Sequence, residues 1–205
     1  MFFSFDGIDG VGKSTQIELF SVWLREQGLT VSACRDPGST PVGERVRDLL
    51  LACDPTTPID RRAEMLLYMA ARAQLVEQVI RPALDRGEVV VSDRFVLANI
   101  VYQGHAGGLD VDQVRTVGDI TTGNVCPDAV FVLDMPVPLA DERLADERDR
   151  MEQQGAGFRE RLREGFLTEA KRDPKAIHVI DATRGIDEIQ ADIREVALRC
   201  LRVGL

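Results

Sequence analysis

Two spacings of apolar residues divide the chain. Residues 2–5 are apolar or small throughout, and beyond a glycine-rich stretch Ile17, Phe20 and Leu24 recur at helical spacing. This pattern predicts a buried strand, a loop and a helix that runs to about Gln27 and stops at Gly28. Residues 29–34 then alternate as a second strand, and residues 41–51 form a helix with Val42, Val46, Leu49 and Leu50 on its buried side. A long helix is expected over residues 60–84, with Met65, Met69, Leu75, Val76 and Val79 as core positions. Residues 89–91 are continuously apolar, as buried parallel strands are. A helix over 110–122, a strand over 129–133, a strand over 177–180 and a last helix from about 187 to 201 complete the chain. Strands alternating with helices predict an α/β fold. It is a three-layer α/β/α sandwich on a five-stranded parallel sheet, read as one domain over residues 1–205.

The first turn carries the strongest chemistry. Gly7, Gly12, Lys13 and Ser14 fit G-x-x-x-x-G-K-[ST], between a predicted strand and a predicted helix, which is the context a phosphate-binding P-loop requires. Glycines allow backbone N–H groups to turn toward phosphate oxygens, and the helix N-terminus adds partial positive charge. Lys13 can reach the outer phosphates, and the Ser14 hydroxyl can ligate Mg²⁺. The sequence therefore predicts a nucleoside triphosphate site.

Later segments supply partners for that loop. The third strand ends in Ser92-Asp93-Arg94. An Asp there can hold Mg²⁺ or its water shell, or it can cap a helix; the adjacent Arg adds a bidentate phosphate anchor. Tyr68 and Arg72 lie four residues apart on one helix face. They read either as the edge of an amphipathic helix or as a base-stacking ring beside a cation. Asn99 and Gln103 are also four apart, and amides there could read the polar edge of a base. The charge-dense stretch over 141–173 fits two solvated helices, or a mobile helical lid at about 141–155 whose arginines neutralise a transferring phosphoryl group.

Totals narrow the classes. A net charge of −9 opposes non-specific binding of a nucleic-acid polymer, while a small anionic ligand needs only a local cluster of cations. Lysine is scarce, with only Lys13, Lys171 and Lys175, so the loop lysine stands out. Cys34, Cys53, Cys126 and Cys200 are widely spaced, and His105 and His178 are isolated, which favours free thiols over disulfides or a zinc site. No run approaches the ~20 apolar residues of a membrane span. No targeting signal precedes the first strand, so a cytoplasmic protein is expected.

Several segments together resemble the thymidylate kinase family: residues 5–15, Arg35-Asp36-Pro37-Gly38-Ser39-Thr40, Ala70-Ala71-Arg72-Ala73-Gln74-Leu75, Ser92-Asp93-Arg94-Phe95, Tyr102-Gln103-Gly104, Asp149-Arg150-Met151-Glu152 and Ile180-Asp181-Ala182-Thr183. The resemblance implies transfer of the ATP γ-phosphoryl group to dTMP, with Mg²⁺ and a homodimer. It implies that Gly7, Asp9, Gly10, Val11, Gly12, Lys13, Ser14 and Thr15 hold ATP, that Ser14 and Asp93 hold the metal, and that Asp9 manages the acceptor phosphate and the metal. Pro37, Arg47, Arg72 and Arg94 would surround dTMP, with Tyr68 stacking on the base and Asn99 and Gln103 at its edge. Tyr102 would crowd the position of a 2′-hydroxyl. The loop lacks an arginine among its variable positions, which resembles the subgroup whose lid supplies the catalytic cation, here Arg143, Arg148 or Arg150. The chain departs from the family pattern with Asp6 and Asp36 for the usual Glu, Ala98 for Ser and Gly107 for Arg.

Other readings compete. A kinase for another acceptor, such as dUMP, dCMP or a nucleoside, would use the same scaffold, and three arginines aimed at an acceptor phosphate favour a monophosphate over a nucleoside. A GTP-hydrolysing switch would need an [NT]-K-x-D motif, and the nearest run, Ala170-Lys171-Arg172-Asp173, lacks the first residue. A non-catalytic ATP-binding regulator sits poorly with an intact Lys13, Ser14 and Asp93.

Overall fold

A computed structural model of the chain describes residues 1–52, 56, 58–144 and 156–203. Its centre is a five-stranded, all-parallel sheet in the order β2-β3-β1-β4-β5. The strands are β1 (Phe2–Asp6), β2 (Val31–Arg35), β3 (Val89–Asp93), β4 (Ala129–Asp134) and β5 (Ile177–Asp181). β1, β3 and β4 are buried along nearly their whole length, which is why their sequences are continuously apolar. The edge strands β2 and β5 are half exposed and carry polar residues.

Phe3, Phe5 and Phe131 meet Phe20 of helix α1 (Lys13–Glu26), with ring centroids 5.0–5.9 Å apart. Phe2 and Val90 face the opposite way. They pack on Leu75, Val76, Ile80 and Phe95. The remaining helices are α2 (Pro41–Leu51), α3 (Arg61–Leu75), α4 (Arg81–Asp85), α5 (Val96–Asn99), α6 (Val111–Thr122), α7 (Val137–Asp141), α8 (Ala156–Arg172) and α9 (Ile186–Val203). Thr40, Asp60 and Asp110 cap α2, α3 and α6 by accepting from backbone amides of the first turn.

Two expectations need correction. The helix expected over 60–84 is not uniform, because a π-turn at Val76–Ile80 separates α3 from α4. Pro82 has no amide to donate, and the turn ahead of it widens. In α2 the buried residues are Gly43 and Leu50, while Val42 and Leu49 are 49% and 42% exposed and Val46 is half-buried. α2 lies against α3 instead of the sheet. A Cβ at Gly43 would stand 2.7 Å from Gly38 O, so its backbone comes close to the loop after β2. The lid expected at about 141–155 lies outside the described residues beyond Leu144.

The chain leaves β1 toward β2 and leaves β4 toward β5, on opposite sides. That reversal opens a crevice at the carboxyl ends of the strands, the usual ligand position in open α/β sheets. The strand ends deliver Asp6, Asp93, Asp134 and Asp181 to that edge, and Asp36 follows β2 directly.

Candidate active site

The loop between β1 and α1 is shaped by close approach. Gly10 has φ +91°, and a Cβ there would lie 2.2 Å from Ala140 O, so no side chain fits. Gly12 has φ +90° and precedes the first turn of α1, whose N-terminus faces the crevice. Val11 is buried beneath the loop, whereas Ser14 and Thr15 are exposed on it.

Lys13 is only 8% exposed, and its Nζ donates to Gly7 O at 3.1 Å, Ile8 O at 2.9 Å and Asp9 Oδ1 at 3.2 Å. Burial, followed by the nearby Arg94, lowers its pKa, against the pull of Asp9. Asp9 is the hub of the site. Arg94 Nη2 donates to Asp9 Oδ1 at 2.6 Å, Tyr102 Oη to Asp9 Oδ2 at 3.3 Å, and Arg159 Nη2 to the Asp9 carbonyl at 2.7 Å. Burial would push the Asp9 carboxyl up, but Lys13 and then Arg94 outweigh it and hold the group well below the carboxylate range. Arg94 has φ +68°, a strained backbone for a residue with a side chain, and its guanidinium stacks 5.0 Å from the centre of the Tyr102 ring.

Two cavities meet at this hub. The larger, about 770 Å³, is lined by the phosphate loop together with Asp93, Arg143, Arg184 and Ile186. The smaller is lined by Pro37, Tyr68, Arg72, Asn99, Tyr102 and Gln103. Asp9, Asp36, Arg47 and Arg94 line both. Arg47 Nη1 donates to Pro37 O at 3.2 Å. Every described site residue expected from the sequence therefore lies in one of these cavities or in the loop between them. Arg148 and Arg150 fall outside the described residues.

Arg72 is not a solvated helix-edge cation. It is 1% exposed and pairs with Asp36 at 2.5 Å, with further hydrogen bonds to Phe95 O and Met69 Sδ. Its charge is thus largely neutralised before a ligand arrives, which suits a neutral base edge better than a phosphate. The sequence places Asp36 in a loop and as an Asp where the family pattern has Glu, but carries no sign that it pairs with Arg72.

Arg159 was hidden in a run that reads as solvated charge, yet it is 2% exposed, ion-pairs with Asp141 at 3.0 Å and braces the phosphate loop through Asp9. No local signal separates it from its neighbours. Its contacts lie 18 and 150 positions away in the chain.

Among the described residues, no group of three or more His, Cys, Asp or Glu could hold a metal unaided. Asp93 Oδ1 is buried without a hydrogen-bond partner among the described residues, and Ser14 lines the same cavity. That donor set fits a hard divalent cation that completes its shell with phosphate oxygens and water. Asp6 is fully buried, both its carboxyl oxygens lack a hydrogen-bond partner among the described residues, and burial raises its pKa to about 7 against the pull of Arg94 and Lys13.

Known proteins resemble this chain over nearly its full length. The sequence profile of the thymidylate kinase family matches residues 5–193. The thymidylate kinase of Thermosipho africanus is 44% identical over 204 residues, covering 98% of this chain and 100% of that protein. The thymidylate kinase of Symbiobacterium thermophilum is 42% identical, covering 96% and 92%. The crystal structure of thymidylate kinase from Ehrlichia chaffeensis superposes with a TM-score of 0.78 at 30% identity, over 96% of this chain and 98% of that one. A phosphate loop, a second cavity that shares Asp9, Asp36, Arg47 and Arg94 with the first, and matches of this extent place the chain in the thymidylate kinase family.

Proposed function

We propose that this chain transfers the γ-phosphoryl group of ATP to dTMP, forming dTDP and ADP. The observation that carries the reading is the junction at Asp9 and Arg94, where a triphosphate-sized cavity opens into a smaller one lined by two aromatic rings, two amides and arginines. Phosphoryl transfer asks little covalent chemistry of a protein. Positioning and charge stabilisation do nearly all of it.

In this reading the backbone of Gly7, Gly10, Val11 and Gly12, with Lys13, Ser14 and Thr15, holds the ATP phosphates. Ser14 and Asp93 hold Mg²⁺, which neutralises charge on the outer phosphate oxygens when bound. Arg47 and Arg94 bind the acceptor phosphate beside Asp9, and Tyr68 stacks on the base. Arg72 donates to a base carbonyl, and Tyr102 denies space to a 2′-hydroxyl. Arg143 lines the phosphate cavity, which supports it as a cation for the transferring group; Arg148 and Arg150 carry the same role by resemblance.

dUMP presents the same ring hydrogen-bonding pattern as dTMP. Only the methyl separates them, a difference of about 1–3 kcal/mol in an apolar pocket. A homodimer is part of the proposal, supported by exposed Val42, Leu49, Leu66 and Ile120 on α2, α3 and α6, helices that pack side by side. A cytoplasmic setting fits the free thiols of Cys34, Cys126 and Cys200. No described helix is long and apolar enough to cross a membrane.

Product analysis tests the reaction. Incubation with ATP, Mg²⁺ and dTMP should yield dTDP and ADP in equal amounts, with thymidine unreactive. ADP formed without dTDP would overturn the proposal.

A further inference from the structure

Glu64 on α3 lies eight residues before Arg72 and is 8% exposed. Its Oε1 accepts from Gln103 Nε2 at 2.8 Å. Gln103 Oε1 accepts in turn from Asn99 Nδ2 at 2.6 Å. Asn99 is 2% exposed and lines the smaller cavity, and its Oδ1 has no hydrogen-bond partner among the described residues.

Polarity follows from elementary donor counting. A primary amide has one donating end and one accepting end, whereas a carboxylate only accepts. Two amides alone can pair in either sense with the same number of hydrogen bonds. Anchored on a carboxylate, they can pair in only one. Gln103 must turn its NH₂ toward Glu64, so its oxygen meets Asn99; Asn99 then spends its NH₂ on Gln103 and is left with an oxygen to offer.

We propose that Glu64 is a positioning residue that sets pyrimidine selectivity, by fixing the Gln103–Asn99 relay so that the acceptor cavity offers an oxygen at Asn99 Oδ1. An oxygen there pairs with the N3–H of thymine or uracil and opposes the N3 lone pair of cytosine. This rests on the reading of the cavity as a pyrimidine monophosphate site. Glu64 does not touch the substrate in this scheme; it acts through two side chains. Replacing the carboxylate with an amide removes the constraint. Glu64→Gln can donate to Gln103 Oε1, which lets the whole relay reverse and offer the Asn99 NH₂ to the base.

The test is kcat/KM for dTMP, dUMP and dCMP in the wild type, in Glu64→Gln and in Gln103→Met, which cuts the relay without altering Glu64. In both variants the dTMP-to-dCMP ratio should fall by about tenfold or more, mainly through KM, because a misoriented buried amide costs a hydrogen bond. The dTMP-to-dUMP ratio should stay within about twofold, since the relay does not read the methyl, and the KM for ATP should not move. A purely structural role would lower all acceptors together. If the wild type prefers dTMP and either folded variant keeps its dTMP-to-dCMP ratio within twofold, the relay is refuted while the kinase reading stands. A wild type indifferent to dTMP would overturn both.

Discussion

Asp36→Asn removes the one acidic partner that Arg72 has among the described residues while leaving the guanidinium fixed. The two side chains are 0% and 1% exposed, lie 2.5 Å apart and belong to different elements. Phe95 O and Met69 Sδ still hold the guanidinium in place after the substitution, so it cannot swing into water. Leaving one buried charge without its counter-charge costs about 3–5 kcal/mol. For a chain of this size that corresponds to a fall in Tm of roughly 6–20 °C. Removing both charges, with Asp36→Asn and Arg72→Met together, should cost less than the sum of the single changes by at least about 2 kcal/mol. Urea unfolding followed through the fluorescence of Trp23, the chain's single tryptophan, supplies the four free energies of the cycle. Single costs that add to the double within about 0.5 kcal/mol would refute the pairing and, with it, the argument that Arg72 reaches the acceptor cavity with its charge already compensated.

Asp6 makes stability depend on pH in an unusual direction. Its folded pKa of about 7 lies above the ordinary 3.8, so the folded chain holds a proton that the unfolded chain releases, and stability falls as pH rises from about 4 to about 7. The fall amounts to roughly 4 kcal/mol from this group, Asp6→Asn should flatten it, and urea unfolding without nucleotide or Mg²⁺ across that range would contradict the reasoning if wild type and variant ran parallel. Gly10→Ala forces a Cβ against the Ala140 carbonyl at 2.2 Å and should raise the KM for ATP by about tenfold or more; an unchanged KM would mean the loop relaxes freely. Arg159→Ala should lose about 2–4 kcal/mol, because it breaks a half-buried ion pair and a charge-assisted hydrogen bond, and should weaken ATP binding as Asp9 loosens. Retention of wild-type stability within about 0.5 kcal/mol would remove Arg159 from the loop's support.

What was legible in the chain was local. Glycine positions, the loop lysine and the apolar run ahead of them define the phosphate loop within a dozen residues, because backbone conformation and phosphate chemistry are set there. Asp60 and Asp110 mark helix starts, and Gly28 marks a stop with φ +80°. That Pro37, Tyr68, Arg72, Asn99, Tyr102 and Gln103 gather in one cavity is expected from spacing and resemblance together. What escaped depended on distant partners. Arg159 and Glu64 are charged residues on amphipathic helices, and nothing in their neighbourhoods says that one is buried under the loop and the other under two amides. Val42 and Leu49 failed in the opposite sense, since apolar periodicity reports an apolar face without saying that the sheet lies behind it. The π-turn at Val76–Ile80 was masked because the 3.6-residue pattern on either side continues through it.

The central claim is that the smaller cavity takes dTMP and presents its phosphate to the ATP site. The most direct measurement is kcat/KM from ADP release with Mg²⁺-ATP, comparing dTMP, dUMP, dCMP, dGMP and thymidine against a no-acceptor control. The account predicts strong dependence on dTMP, a smaller rate with dUMP, and rates near the control with dCMP, dGMP and thymidine. ADP release at the same rate with every acceptor and with none would contradict it.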